Sequence, residues 1–505
     1  MTSPHLHENN RPLLIQGAWL PDVATGRLQQ HDMLVQGGYI REIVPVGLQV
    51  SGDVLVMPAS DSVVIPGLSN AHTHSHFVYG RGYGDRWTLE LHQNSGSGIH
   101  FGAELEDLRL GAMLGAADMI RHGCVAAYDM VVQAPHHTPE GMGAVARGYE
   151  ATGLRAVIAA AVTDTSFWNS MPGLLERLPP ADAHFVRSLS ATPASAHIAG
   201  LREVFSHWSH DGQRIKPAIA PSVPLLCTDD FMKQVVALAN EFELPVQTHL
   251  AESKIQAIKA QRRWGWSLTE QLAHVGLLGP RTSAAHGIWI DEHDMQILAD
   301  HGVAVAHNPG SNMRLGNGVA QTVAMRRHGI RVGIGTDACS CADAQNMIEA
   351  MRLAAYSSRI CGPDPDRWLD APTVFHMATA ESAAILGFPD TGKLAKGNRA
   401  DLVFLKRDDL AYLPLNDFYT QLVFSETGRS VHRVMIDGRI VLENSRFTLF
   451  DEEQLRREVE ARATTLAEQG AERRQRLRAM EPVVSMFCVG LAREPHAFSR
   501  YVGGV

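Results

Sequence analysis

Between residues 63 and 337, strand-length apolar runs recur eight times with helical stretches between them, and no other feature limits the fold as strongly. The runs are Val63–His74, Cys124–Asp129, Arg155–Val162, Ile215–Val223, Pro245–His249, Ser283–His286, Val303–His307 and Arg331–Asp337. Helical patterns occupy intervals such as Glu104–His122, Asp229–Glu241, Thr269–Val275, Glu292–His301 and Ala320–His328. Strands alternating with helices imply a parallel sheet covered on both faces. Eight such units predict an α/β protein built on a (β/α)8 TIM-like barrel rather than an open sheet.

Short apolar or alternating runs flank this pattern. Pro12–Leu20, Met33–Gln36 and Ile40–Pro45 precede it, broken by Gly17 and Gly37-Gly38; Asp401–Lys406 and Val431–Val441 follow it, with a turn at Asp437-Gly438. The expectation is a small composite β-sandwich domain drawn from both chain ends, residues 1–66 and 395–445, around a catalytic barrel at 67–394. Asp370–Gly387 reads as helix. Residues 446–505 are read as helix and tail: Asp451–Met480, rich in Glu, Arg, Ala and Leu, as a solvent-facing helix, and the last twenty-five residues without a legible pattern.

Composition removes several classes of function. A net charge of −9 shows none of the basic excess of a nucleic-acid binder. No run of ~18 apolar residues offers a membrane span. The polar opening, Met1–Arg11, lacks an apolar signal core, and six scattered cysteines are no disulfide framework for a chain of this length. The chain therefore reads as a cytoplasmic protein with no nucleic-acid or membrane partner; a small heterocyclic substrate and a homo-oligomer, a dimer, are separate expectations that composition does not supply.

Polar residues stand where the barrel strands stop. The first ends in Asn70-Ala71-His72-Thr73-His74, the fifth in His249-Leu250-Ala251-Glu252, the sixth in His286, the seventh in His307-Asn308-Pro309 and the eighth in Gly335-Thr336-Asp337. In a parallel barrel these ends share one face, the face that carries active sites. Residues two apart on a strand point the same way, so His72 and His74 can chelate one ion, with His249 and Asp337 adding ligands from across the mouth. Imidazole and carboxylate ligands with an open position suit one divalent ion, zinc first and iron second. Such an ion lowers the pKa of bound water to roughly 7. His5-Leu6-His7 is assigned to a polar tail, and Cys339-x-Cys341 has no second pair to complete a zinc site.

Pro66-Gly67-Leu68-Ser69-Asn70-Ala71-His72-Thr73-His74 resembles the opening motif of the amidohydrolase superfamily, and His249-x-x-Glu252, His286, His307-Asn308-Pro309-x-Ser311-Asn312 and Gly335-Thr336-Asp337 resemble its later motifs. Together they resemble the branch holding cytosine, guanine and adenosine-analogue deaminases and triazine hydrolases, over roughly residues 12 to 445. The resemblance implies His72, His74, His249 and Asp337 as metal ligands, Glu252 as proton shuttle, and His286 as the group that polarises the substrate. It implies catalytic Glu252, His286 and Asp337, with His307 and Asn312 toward a heterocyclic substrate. Glu252 has the opposite strand parity to His249, so the chain must leave the strand near Leu250 for both to face the metal. Relatives with two metals carry a bridging lysine at the end of the fourth strand; Lys216 sits at the wrong end, which implies a single ion. In the first loop, Arg81 is a candidate for an anionic or carbonyl group and Trp87 for stacking on a ring. The leading expectation is hydrolytic deamination of a cyclic amidine, with release of ammonia. The alternatives are hydrolysis of a cyclic amide or of a triazine with loss of amine or chloride, and a non-catalytic scaffold.

Overall fold

The computed structural model describes residues 11–22, 25–189 and 191–502; the His5-Leu6-His7 pair lies outside them. Strands β1 (Leu13–Pro21), β2 (Leu28–Gln36), β3 (Tyr39–Pro45), β4 (Leu55–Pro58) and β5 (Ser62–Pro66) come first. They are followed by β6 (Leu68–His74), β7 (Cys124–Val131), β8 (Arg155–Val162), β9 (Ile215–Pro221) and β10 (Val246–Leu250). Next come β11 (Thr282–His286), β12 (Ala304–His307), β13 (Val332–Ile334) and β14 (Asp337–Ala338). The last four are β15 (Leu402–Lys406), β16 (Val431–Ile436), β17 (Arg439–Glu443) and β18 (Arg446–Phe447).

β6 to β13 pair in parallel in chain order, and β14 pairs in parallel with β6, which closes the ring. β13 and β14 are the halves of one eighth strand, parted at Gly335-Thr336. A side chain at Gly335 would meet Asn308 Oδ1 at 2.4 Å and the backbone nitrogen of His72 at 2.8 Å, so only glycine admits this approach. Every residue of β7 and β8 is buried, as their unbroken apolar runs require.

The run expected as one strand over 63–74 is two. β5 pairs antiparallel with β15, and after Gly67 the chain enters the barrel as β6. A Cβ at Gly67 would lie 2.3 Å from Val125, so the crossing from one sheet to the other needs glycine. Strands from both chain ends form one mixed sheet, ordered β18-β17-β16-β15-β5-β1-β2-β3 with β4 on β1. Ile15, Met33, Ile40, Val64, Leu402 and Phe404 pack as its own core. Arg155, at the start of β8, joins sheet and barrel. It is buried, with Nε 2.8 Å from Asp401 Oδ2 and Nη2 2.8 Å from Asp437 Oδ1.

The C-terminal segment corrects an expectation. It is two helices, Glu452–Gln469 and Ala471–Ala492, and the second is not solvent-facing throughout. Leu477, Met480, Val484 and Cys488, at spacings of three and four, form an apolar stripe that packs on Phe167, Trp168, Met171 and Leu174. No helix among the described residues is long and apolar enough to cross a membrane.

Candidate metal centre

Four strand ends converge on one buried cluster. The rings of His72 and His74 on β6 lie 4.7 Å apart, and the His249 ring on β10 lies 5.0 Å from His72 and 5.4 Å from His74. Asp337 Oδ1 stands 3.6 Å from His72 Nε2 and 3.4 Å from His74 Nε2, while Oδ2 stands 3.7 Å from His286 Nε2. Ligand atoms of His72, His74 and His249 fall within 4.8 Å of one another, as do those of His72, His286 and Asp337 and those of His249, Glu252 and His286.

Hydrogen bonds behind the cluster fix the tautomers. His74 Nδ1 donates to the Met130 carbonyl at 2.7 Å and His249 Nδ1 to the Ser222 carbonyl at 2.6 Å. A carbonyl can only accept, so both Nδ1 atoms carry the proton and both Nε2 lone pairs face inward. His72 Nδ1 lies 2.7 Å from Gln247 Oε1, and its Nε2 is buried without a hydrogen-bond partner. Donation from the far ring nitrogen is the usual support of a metal-ligating imidazole, and the donor set fits one ion. Burial, then the neighbouring His74, lowers the His72 pKa to about 3, and burial with His72 and His74 holds His249 well below its usual value. Burial alone would raise Asp337, but the surrounding histidines keep its carboxyl ionised. Neutral imidazoles and an ionised carboxylate are the forms that bind a cation.

The backbone is strained at this rim. Ala251, His286 and Asp337 take φ of +44°, +72° and +62°, the left-handed region that L side chains rarely adopt. At Ala251 the departure from β10 turns Glu252 inward. Glu252 is buried, with Oε2 3.7 Å from His286 Nε2 and Oε1 accepting from Asn317 Nδ2 at 3.0 Å. Burial, then the charges of Asp337 and Glu90, push its carboxyl well above the usual carboxylate range. His286 Nδ1 donates to Asn312 Oδ1 at 2.8 Å, so Asn312 contacts His286 directly. His307 is buried with neither ring nitrogen partnered.

Two candidates stand apart from the cluster. Arg81 is bound to Asp118 at 2.5 Å and to Cys339 Sγ at 3.3 Å. The Trp87 indole donates to Glu481 of the last helix at 3.0 Å, and the ring lines an open cavity of about 550 Å³ with Tyr83, Arg474 and Arg478. Lys216 Nζ donates to the Gly387 carbonyl at 2.5 Å, at the start of β9 and away from the cluster. Sequence reasoning assigned no role to Gln247, although its two-residue offset from His249 places it on the same strand face. It had no signal for Asn317 or for the carbonyls of Met130 and Ser222.

A closed parallel barrel with three imidazoles and a carboxylate at the C-terminal ends of its strands defines the class of metal-dependent barrel hydrolases. Residues 63–441 match the amidohydrolase family, and the chain belongs to that family. It is 31% identical to a 5-methylthioadenosine/S-adenosylhomocysteine deaminase of Desulforudis audaxviator, over 90% of this chain and 99% of that protein. It is 30% identical to a 5'-deoxyadenosine deaminase of Methanosarcina mazei, over 90% of this chain and 98% of that one. An adenosine deaminase from Xanthomonas campestris with bound zinc shares the structure at a TM-score of 0.76 and 25% identity, over 91% of this chain and 98% of that one. The zinc complex of an atrazine chlorohydrolase from Arthrobacter aurescens shares the fold at a TM-score of 0.78 and 22% identity, over 90% and 99%.

Proposed function

We propose that the chain deaminates an adenosine analogue, adding water to the ring carbon that bears the amino group and releasing ammonia. The observation that carries this reading is a buried carboxyl, Glu252, kept able to hold a proton and facing His286 at the edge of the cluster. In this reading His72, His74, His249 and Asp337 hold one divalent ion, taken as zinc because two solved neighbours contain it. Zinc so held supplies Lewis acidity and lowers the pKa of a water to roughly 7.

The side chains account for the proton. Glu252 accepts it from the attacking water. The tetrahedral carbon expels its amino group only once that nitrogen is protonated, and Glu252 returns the same proton there. One water is consumed, one C–O bond forms and one C–N bond breaks. His286, fixed by Asn312 on Nδ1, orients the attacking water through Nε2. His307 is the candidate contact for the ring, and Arg81 and Trp87 are candidates for the outer part of the substrate. The substrate class is drawn from the relatives, which are deaminases of adenosine analogues altered at the 5' position.

The test assays ammonia release on adenine nucleosides, pterins, pyrimidines and triazines, with metal content measured alongside. One equivalent of zinc per chain is expected, and Glu252→Gln should retain it yet lose at least about a hundredfold in kcat. Chloride release from chlorotriazines without ammonia release from any nucleoside would sink the deaminase reading. Two tightly bound ions would sink the single-ion site.

A further inference from the structure

We propose that the C-terminal strap, residues 496–501, is part of the catalytic apparatus: through Trp289 and Asn317 it fixes the Glu252 carboxylate, which makes Trp289 and Asn317 positioning residues. The inference rests on the reading of Glu252 as proton carrier.

The chain of contacts is short. Asn317 donates to Glu252 Oε1 at 3.0 Å, which leaves Oε2 toward His286. The Asn317 carbonyl accepts the Trp289 indole N–H at 2.7 Å. The Trp289 backbone N–H donates to the Ala251 carbonyl at 2.8 Å, and Gly287 N–H donates to the Leu250 carbonyl at 3.0 Å. The loop after β11 is therefore stitched to the left-handed residue that turns Glu252 inward.

The strap packs over Trp289, itself a member of the barrel core. Phe498 stacks on its ring at 6.2 Å, Tyr501 meets it edge-on at 5.0 Å, and His496 lies 5.7 Å away. The Arg500 guanidinium donates to the carbonyls of Ile288, at 3.0 Å, and of Ile290, which flank Trp289. The Arg500 carbonyl accepts from Val319 N–H at 2.9 Å, two residues beyond Asn317. One segment thus closes over both loops that hold Glu252. Tyr501 and Asn317 also line the same small cavity of about 60 Å³, together with Glu90, Ser253 and Cys488. Packing alone needs none of this polarity, since phenylalanine at 289 would fill most of the same space; the indole N–H is what passes the restraint to Asn317.

The test compares Trp289→Phe, Asn317→Ala and a chain ending at Glu494, each alone and combined with Glu252→Gln. Each change should lower kcat roughly ten- to a hundredfold, as misplacement of a catalytic group does, with zinc content and KM nearly unchanged. In the Glu252→Gln background each should cost nothing further, because groups that act as a unit are not additive. In the metal-free protein the truncation should speed amide exchange at Trp289 and Val319, independently of activity. Wild-type kcat in Trp289→Phe, with Glu252→Gln inactive, overturns the strap and leaves the role of Glu252 standing. An equal loss in both backgrounds makes Trp289 a packing residue and also overturns it. Full turnover in Glu252→Gln removes the proton carrier and the strap with it. If the truncated chain fails to fold, the conservative Trp289→Phe change still decides.

Discussion

Gln247 shows what surrounds a ligand set that sequence can point to. Its Oε1 accepts from His72 Nδ1, while its Nε2 donates to the Ala71 carbonyl at 3.1 Å and to Ser283 Oγ at 3.0 Å, so it is locked from both sides. Replacing it with leucine leaves the His72 ring free to rotate and its Nδ1 unpaired. Gln247→Leu should weaken zinc binding about 10–100-fold, the usual effect of losing such a support, read by competition with a chromophoric chelator. Unchanged affinity would mean that His72 is not a ligand. The histidines were legible because a two-residue period at a strand end leaves few alternatives. So was the need for the chain to turn near Leu250, which it does at Ala251. Asn317 was not legible: it meets Glu252 across 65 residues of sequence, and the carbonyls of Met130 and Ser222 are acceptors that any residue would provide.

At the scale of elements, the fold depends on the joint between barrel and small sheet. Arg155, Asp401 and Asp437 are brought together there from three segments, with Arg155 and Asp401 almost fully buried. Removing one partner of a buried pair leaves an uncompensated charge, so Arg155→Leu should cost about 3–5 kcal/mol, measured by urea denaturation of the metal-free protein. A loss below about 1 kcal/mol would place the joint among exposed pairs of little weight. β1 lies between β5 and β2, so deleting residues 1–60 would bare the edge of β5 beside β15. Bare strand edges template association, and that deletion should yield aggregates on size-exclusion chromatography; a soluble, active barrel would refute it. Alternating strand and helix patterns made the barrel readable. The last helix was only partly read: Leu477 and Met480 stand among arginines and glutamates that mask a buried stripe, and Val484 and Cys488 continue it into the uncharged stretch Pro482–Ala492, where no helical pattern was legible.

Across the whole molecule, buried imidazoles outside the ligand set tie stability to pH. Burial is the first cause that lowers His92, His100 and His137 to about 4, against 6.5 for a free imidazole. Above pH ~7 all three are neutral in both folded and unfolded chains, and they contribute no pH dependence. Between pH 6.5 and about 4 the unfolded chain takes up protons that the folded chain refuses, so the folded state loses stability as pH falls through that window. Each imidazole adds at most about 1.4 kcal/mol per pH unit to the slope. Below the folded values both states are protonated and this part of the slope vanishes. His137 isolates one term, since its Nε2 donates only to the Ala161 carbonyl at 2.9 Å and it is not one of the residues that form the metal cluster. His137→Gln can keep a donor to that carbonyl without a titratable ring. Urea denaturation of the chelator-treated protein, repeated from pH 4 to 8, should show stability falling below pH ~6.5, with the variant's slope shallower by about one proton. A slope identical in the two proteins would mean that His137 is protonated in the fold, and that burial does not set its charge.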